Sequence, residues 1–453
     1  MLRFPGSRLS PEKIDALERA ADEAVDAGDV ERAWDSVKPL LRAQKRDTGL
    51  ATRLVERVER HAFDPGRGLD VLKAVFAAHP DDLALVAAVG KAAEGARDID
   101  QLNLAAPDDR FFAELVETLE RLTVGVDNPD REIELTNGLA VAARMMARQR
   151  DGVAERAYRR LTELSPQQSS TYYNYGLWLK TRGRFRDGME ANQRAAALAT
   201  QAHEAYDWNL GICATGAGEG AVALAVWRRI GQKVEMGRFE LPDGGYPECK
   251  VRLAERPLAE RSADNDDPGL EETIWIERLS PCHGIVRSVL YQDLGVDYGD
   301  AVLIDGAPIT YHKYGDSEVP VFPHLATLRR GGYRFFDFAG TQGTDGQLES
   351  ASRDLPPGAL LYSHTERFQT LCANCWRDPD VDHAEHEAEE HHVVTGRIAI
   401  APELDIAEML AAIDTAVADR EPCRLFAPDL SRAAGQEERA RFEQRRFDML
   451  RAG

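Results

Sequence analysis

Tyr172-Tyr173-Asn174-Tyr175-Gly176 is followed by Gly183, Phe185 and Gly188, then by Ala195 and Leu198; Tyr206-Asp207-Trp208-Asn209-Leu210-Gly211 is followed by Ala223, Trp227 and Ile230. These are two copies of one pattern, with Asn174 and Asn209 35 residues apart. Each copy reads as two helices joined by a tight turn. Gly176, Gly188, Gly211 and Ala223 are small enough to let paired helices approach, while Tyr175, Trp208 and Trp227 fill the remaining volume.

Further copies align on the small residue early in the second helix. Ala33, Gly68, Ala154, Gly188 and Ala223 hold that place, in steps of 35, 86, 34 and 35. Pro80 and Pro166 each lie twelve residues past their anchor, and Gly28-Asp29-Val30 fits the turn between helices. The pattern resembles the tetratricopeptide repeat, whose period is about 34 residues. It is clearest over 135–232 and looser over 14–130, where Pro39 falls inside an expected second helix. Asn192 also stands where an aromatic residue is expected, and the step of 86 must hold an irregular helical pair at 83–96 and 109–123. The resemblance implies a solenoid whose first-helix faces line a concave surface for a protein or peptide partner. Asn174, Trp178, Asn209 and Asp207 are the candidate contacts. For the two asparagines the alternative is a local capping or backbone bond.

Beyond about residue 235 the composition shifts to β-branched and aromatic runs with Pro-Gly turns. Residues 256–270 are too polar to pack and read as a surface connection. Strands are expected at 273–279, 285–291, 301–304, 309–312, 333–338, 359–362 and 393–400, with Asp305-Gly306-Ala307-Pro308 as a hairpin turn between two of them. Ile406, Met409, Leu410, Ile413 and Val417 form a helical stripe that Asp405 can cap, and a last helix is expected at about 432–450. The fold class is therefore α+β overall: a tetratricopeptide-like all-α solenoid, then a mainly antiparallel sheet domain with C-terminal helices. The expected divisions are irregular helical repeats at 1–130, clearer repeats at 131–235, a linker at 236–272 and the α+β domain at 273–453.

The chain has 453 residues, with 56 Lys and Arg against 77 Asp and Glu, giving a formal charge of −21. Such a surface repels phosphate backbones and anionic lipid, so neither nucleic acid nor a membrane is expected as a partner. No apolar run reaches the ~18 residues of a membrane helix. Met1-Leu-Arg-Phe-Pro-Gly6 has no apolar stretch behind it to make a signal peptide. Six cysteines in a chain of this size suit reduced thiols, hence an expected cytoplasmic location.

The most specific chemical motif is Cys372-Ala373-Asn374-Cys375. Two thiolates at this spacing can face one tetrahedral Zn²⁺ at ~2.3 Å. His364, His391 and His392 could complete the set if the strand ending at His364 pairs with one beginning near His392. Cys282-His283 offers ligands from another strand end, against the alternative of a turn histidine bonded to backbone. His383 and His386 read as members of a solvated acidic stretch. A structural zinc is preferred over a catalytic one, for which Glu366 would be the candidate general base. The remaining alternatives are no metal, with the thiols packed as small residues, or a thiol redox pair.

Two glycine-rich stretches carry less. Gly216-Ala-Gly-Glu-Gly220 follows a helix and fits the repeat's turn, not a phosphate loop, and Gly340 to Gly346 reads as a flexible connection. Asp293, Asp297, Asp300 and Asp305 lack calcium-loop spacing. The expected function is an interaction scaffold joined to a metal-stabilised domain. A zinc-dependent hydrolase and a redox sensor are the alternatives.

Overall fold

The computed structural model describes residues 9–96, 109–315, 317–372 and 388–452. The chain forms two compact units, Met1–Asp243 with Arg256–Pro268, and Gly244–Glu255 with Gly269–Gly453.

The first unit is an array of helices. In order they are α1 (Pro11–Asp26), α2 (Val30–Val37), α3 (Leu40–Ala43), α4 (Thr48–Glu59), α5 (Pro65–Ala78), α6 (Leu83–Lys91), α7 (Asp109–Thr123) and α8 (Pro129–Arg144). They continue with α9 (Asp151–Leu164), α10 (Ser169–Thr181), α11 (Phe185–Leu198), α12 (Glu204–Gly216) and α13 (Gly220–Arg229). Acidic, serine or asparagine side chains start many of them: Ser10, Asp29, Asp47, Asp64, Asp82 and Asn128 each accept from a backbone N–H of the first turn. Pro39 splits an expected second helix into α2 and α3, because proline supplies no N–H to the ladder. Apolar side chains from α1 through α11 make one continuous core.

Close approach is visible at two glycines. A Cβ on Gly211 would lie 2.5 Å from the Trp227 ring, and one on Gly176 would lie 2.3 Å from Asn192 Nδ2. Trp227 is fully buried and meets Trp208 edge-on at 5.0 Å between ring centres. Asn192 is equally buried and donates to the Gly188 carbonyl at 2.8 Å. It stands against Gly176 where Trp227 stands against Gly211 in the next repeat.

The expected linker at 236–272 is structured in part. Short strands β1 (Glu235–Met236) and β2 (Pro242–Asp243) pair after α13, and β3 (Cys249–Ala254) belongs to the second unit. Residues 256–268 belong to the helical unit, held by the buried Arg148. Its guanidinium donates to the Thr181 carbonyl at 2.7 Å and to the Leu258 carbonyl, while Asp266 accepts from its backbone N–H at 3.3 Å. Leu258 is buried and Asp266 bonds inward, while Ser262 to Asn265 and Asp267 stay exposed as the polarity suggests.

Among the described residues, the second unit contains two sheets. The first joins β3, β4 (Glu271–Ser280), β5 (His283–Val286), β6 (Ala301–Ile304), β7 (Thr310–Tyr314) and β8 (Ser317–Arg329). Because β3 pairs antiparallel with β4 and parallel with β8, strands β3-β4-β5-β6-β8 close into a ring around Val251, Ile276, Val302 and Phe322. The 305–308 turn is no hairpin, since β8 inserts between β6 and β7. Sequence reading missed β8 because Pro320 and Pro323 interrupt it.

The second sheet has the order β10-β11-β9-β12, with β9 (Arg334–Gln342), β10 (Ala359–Cys372), β11 (Ala388–Ile400) and β12 (Arg424–Phe426). Helix α14 (Ile406–Ala418), capped by Asp405, packs Met409, Leu410 and Ile413 against Phe338, Val394 and Ile398. After the short α15 (Pro428–Ala433), α16 (Glu437–Arg451) lays Leu450 and Phe447 against Ala339, Val393 and Phe426.

Candidate functional site

Strand length separates the residues expected to share a zinc ion. β10 and β11 do form the expected antiparallel hairpin, but β10 runs on to Cys372, opposite Ala388, while His392 lies opposite Phe368 and His391 opposite Gln369. At ~3.3 Å per residue, Cys372 stands ~13 Å along the strand from the His392 position and ~26 Å from His364. One ion cannot bridge such gaps. His364 instead bonds through Nε2 to the Val289 carbonyl at 2.9 Å, beside the Tyr291 and Tyr362 rings. Cys282 and His283 are buried at the β4–β5 turn, in the other sheet, where the Ser280 hydroxyl meets the Cys282 N–H at 3.2 Å and His283 Nδ1 at 2.5 Å. His391 Nε2 lies 3.6 Å from Glu389. Cys375, His383 and His386 lie outside the described residues.

The structure does bring His392 to Glu366, and adds Asp345. Glu366 opposes Val394 and is diagonal to His392, so both side chains share a sheet face with Gln342, which is directly opposite His392 on β9. A β-bulge between Ser363 and Thr365 sets the face that Glu366 presents. His392 Nε2 lies 3.5 Å from Glu366 Oε2 and 3.6 Å from Asp345 Oδ1. The imidazole is buried, stacked on Phe368 at 4.7 Å, while Asp345 is 93% exposed. Asp345 comes from the glycine-rich stretch expected to be flexible, which is in fact tied down. Gln347 Oε1 accepts from the N–H groups of Gly343 and Thr344, and Glu366 Oε1 accepts from that of Gly346 at 3.2 Å. Among the described residues, these three are the group whose ligand atoms could hold a metal ion.

On the helical unit, the expected partner contacts divide. Trp178 is 2% exposed, stacked with Tyr175 and packed on Tyr158, so its ring serves the core and not a partner. Asn209 is 6% exposed and accepts from Lys180 Nζ at 2.9 Å, while Asp207 pairs with Arg229 at 2.5 Å. These side chains tie α12 to its neighbours. Asn174 remains half-buried. Sequence reasoning missed a rim of rings nearby: Tyr173 lies 4.8 Å from Tyr206, which stacks on the exposed His203 at 4.4 Å. The signal available was the tyrosine at 173 and at 206, both quoted as repeat residues.

No family model and no curated protein matches the chain. It is similar to the crystal structure of PilW, a widely conserved type IV pilus biogenesis factor, at 13% identity over 49% of this chain and 93% of that one, with a TM-score of 0.34. It is also similar to the MamA protein, at 16% identity over 49% of this chain and 91% of that one (TM-score 0.26), and to Pseudomonas aeruginosa pilF, at 13% identity over 49% and 92% (TM-score 0.30).

Proposed function

We propose that the helical unit is a protein-interaction scaffold that receives a peptide or helix of a partner along the first-helix face of α10 and α12. The observation that supports this reading is the Tyr173, Asn174 and His203 rim, which the repeat leaves at least partly open although it buries Trp178, Asp207 and Asn209. Tyrosine suits such a surface because it gives a large contact area with a polar tip and few rotatable bonds. Tyr173 and Tyr206 stand on helices α10 and α12, and contact residues carried on helices cost less to order on binding than those on loops.

A photo-reactive residue placed at Tyr173 tests this, with Glu190 on α11 as the control position. Cross-links to one discrete partner are expected from position 173 and not from 190, and Tyr173→Ala should weaken that partner's binding by about tenfold or more. Equal cross-linking from both positions, or unchanged affinity of Tyr173→Ala, would overturn the reading.

A further inference from the structure

We propose that Asp345, Glu366 and His392 together bind a divalent cation of the hard-to-borderline class, such as Mn²⁺. Two explanations compete for an imidazole beside two carboxylates. In an ion pair, a protonated ring donates to oxygen at ~2.7–2.9 Å. Here Nε2 stands back from both carboxylates, at 3.5 Å and 3.6 Å. Ligand atoms around one ion behave differently, because metal bonds of ~2.1–2.2 Å hold neighbouring ligand atoms ~3.0 Å apart at octahedral angles and ~3.4 Å apart at tetrahedral ones. The two imidazole–carboxylate spacings lie at the wide end of that range, and all three ligand atoms stand within 4.8 Å of one another.

The surroundings support the same assignment. Gln342 Oε1 accepts from Leu348 N at 3.0 Å, which turns its Nε2 toward the imidazole, where it makes a long hydrogen bond of 3.5 Å to His392 Nε2 that a bound cation would displace. Phe368 fixes the ring plane by stacking. The Gly346 bond to Glu366 Oε1 leaves Oε2 directed at His392. Two oxygens and one imidazole, with no sulfur, favour manganese-like ions over the thiolate-seeking ones. Exposure of Asp345 leaves the remaining coordination positions to water, so the site is open on one side.

The test uses the full chain without a histidine tag, stripped by chelator and titrated with Mn²⁺ while free ion is followed by electron paramagnetic resonance. One ion per chain is expected, with affinity falling at least tenfold in both Asp345→Asn and Glu366→Gln. Asp345 is on the surface, so its variant keeps the fold, and an unchanged circular dichroism spectrum checks this for both. Failure of the unaltered protein to take up Mn²⁺ at millimolar concentration would overturn the proposal. Uptake by both variants equal to that of the unaltered protein would do the same, because the ion would then lie elsewhere.

Discussion

Burial decides the chemistry of Cys249. Its side chain is 1% exposed on β3, and loss of solvent pushes the thiol up to about 11 from its ordinary 9.0. A folded-state value above the unfolded one gives stability that is complete below about pH 9 and is lost as pH rises through about 11. A rise from 9.0 to about 11 is worth roughly 2–3 kcal/mol. The denaturant midpoint of the second unit should therefore fall between about pH 9 and 11, and less so in Cys249→Ala; parallel curves for the two proteins would refute the assignment. At this same scale the candidate metal site was half legible. His392 and Glu366 stood out by residue type, near a cysteine pair that drew attention to them. Asp345 did not, because the bonds that hold its loop come from Gln347 and from Glu366 twenty residues away. Burial also reassigned Trp178 and Asn209, since spacing along a helix does not reveal what a neighbouring helix covers.

Helix pairs and strands differ in how openly the chain announces them. The approach of α12 to α13 was readable from Gly211 and Trp227, because a missing Cβ and a large ring must be complementary. Gly211→Ala would set a methyl 2.5 Å from the indole, and overpacking of this kind costs roughly 1–3 kcal/mol. Chemical denaturation should show that loss, and a stability equal to that of the unaltered protein would contradict the packing described. Asp405 likewise marked the start of α14 by its own side chain, which accepts from the N–H groups of Ala407 and Glu408. β10 was read as four residues and has fourteen. Its outer part, from Ser363 to Cys372, is mostly polar or charged, with Phe368, Leu371 and Cys372 the exceptions, and its pairing with β11 is what makes it a strand. The distance that separates His364 from Cys372 follows from that extra length.

Across the whole molecule, the shift in composition near 235 located the change from helices to sheets. It could not show that the chain returns. Arg148 anchors the returning segment: burial and the neighbouring Arg182 lower its guanidinium to about 10, so it stays charged at neutral pH. Removing one partner of a buried charged set costs roughly 3–5 kcal/mol. Arg148→Ala should accordingly lower the thermal midpoint of the helical unit sharply. Arg148→Lys should recover little of it, since an ammonium cannot reach the Thr181 and Leu258 carbonyls with a planar fork. A melting curve indistinguishable from that of the unaltered protein would mean the returning segment is not anchored there.

The path 243 to 244, 255 to 256 and 268 to 269 passes from one unit to the other three times. A protease that nicks any one of these crossings cuts the chain into two fragments, yet at least one unit is still built from both of them, so the fragments are held by packing and not by the backbone. Shuffling either half into another protein as a cassette would need one seam, whereas this chain has three. A gene fragment ending at 243 would strip Arg148 of its Leu258 and Asp266 contacts.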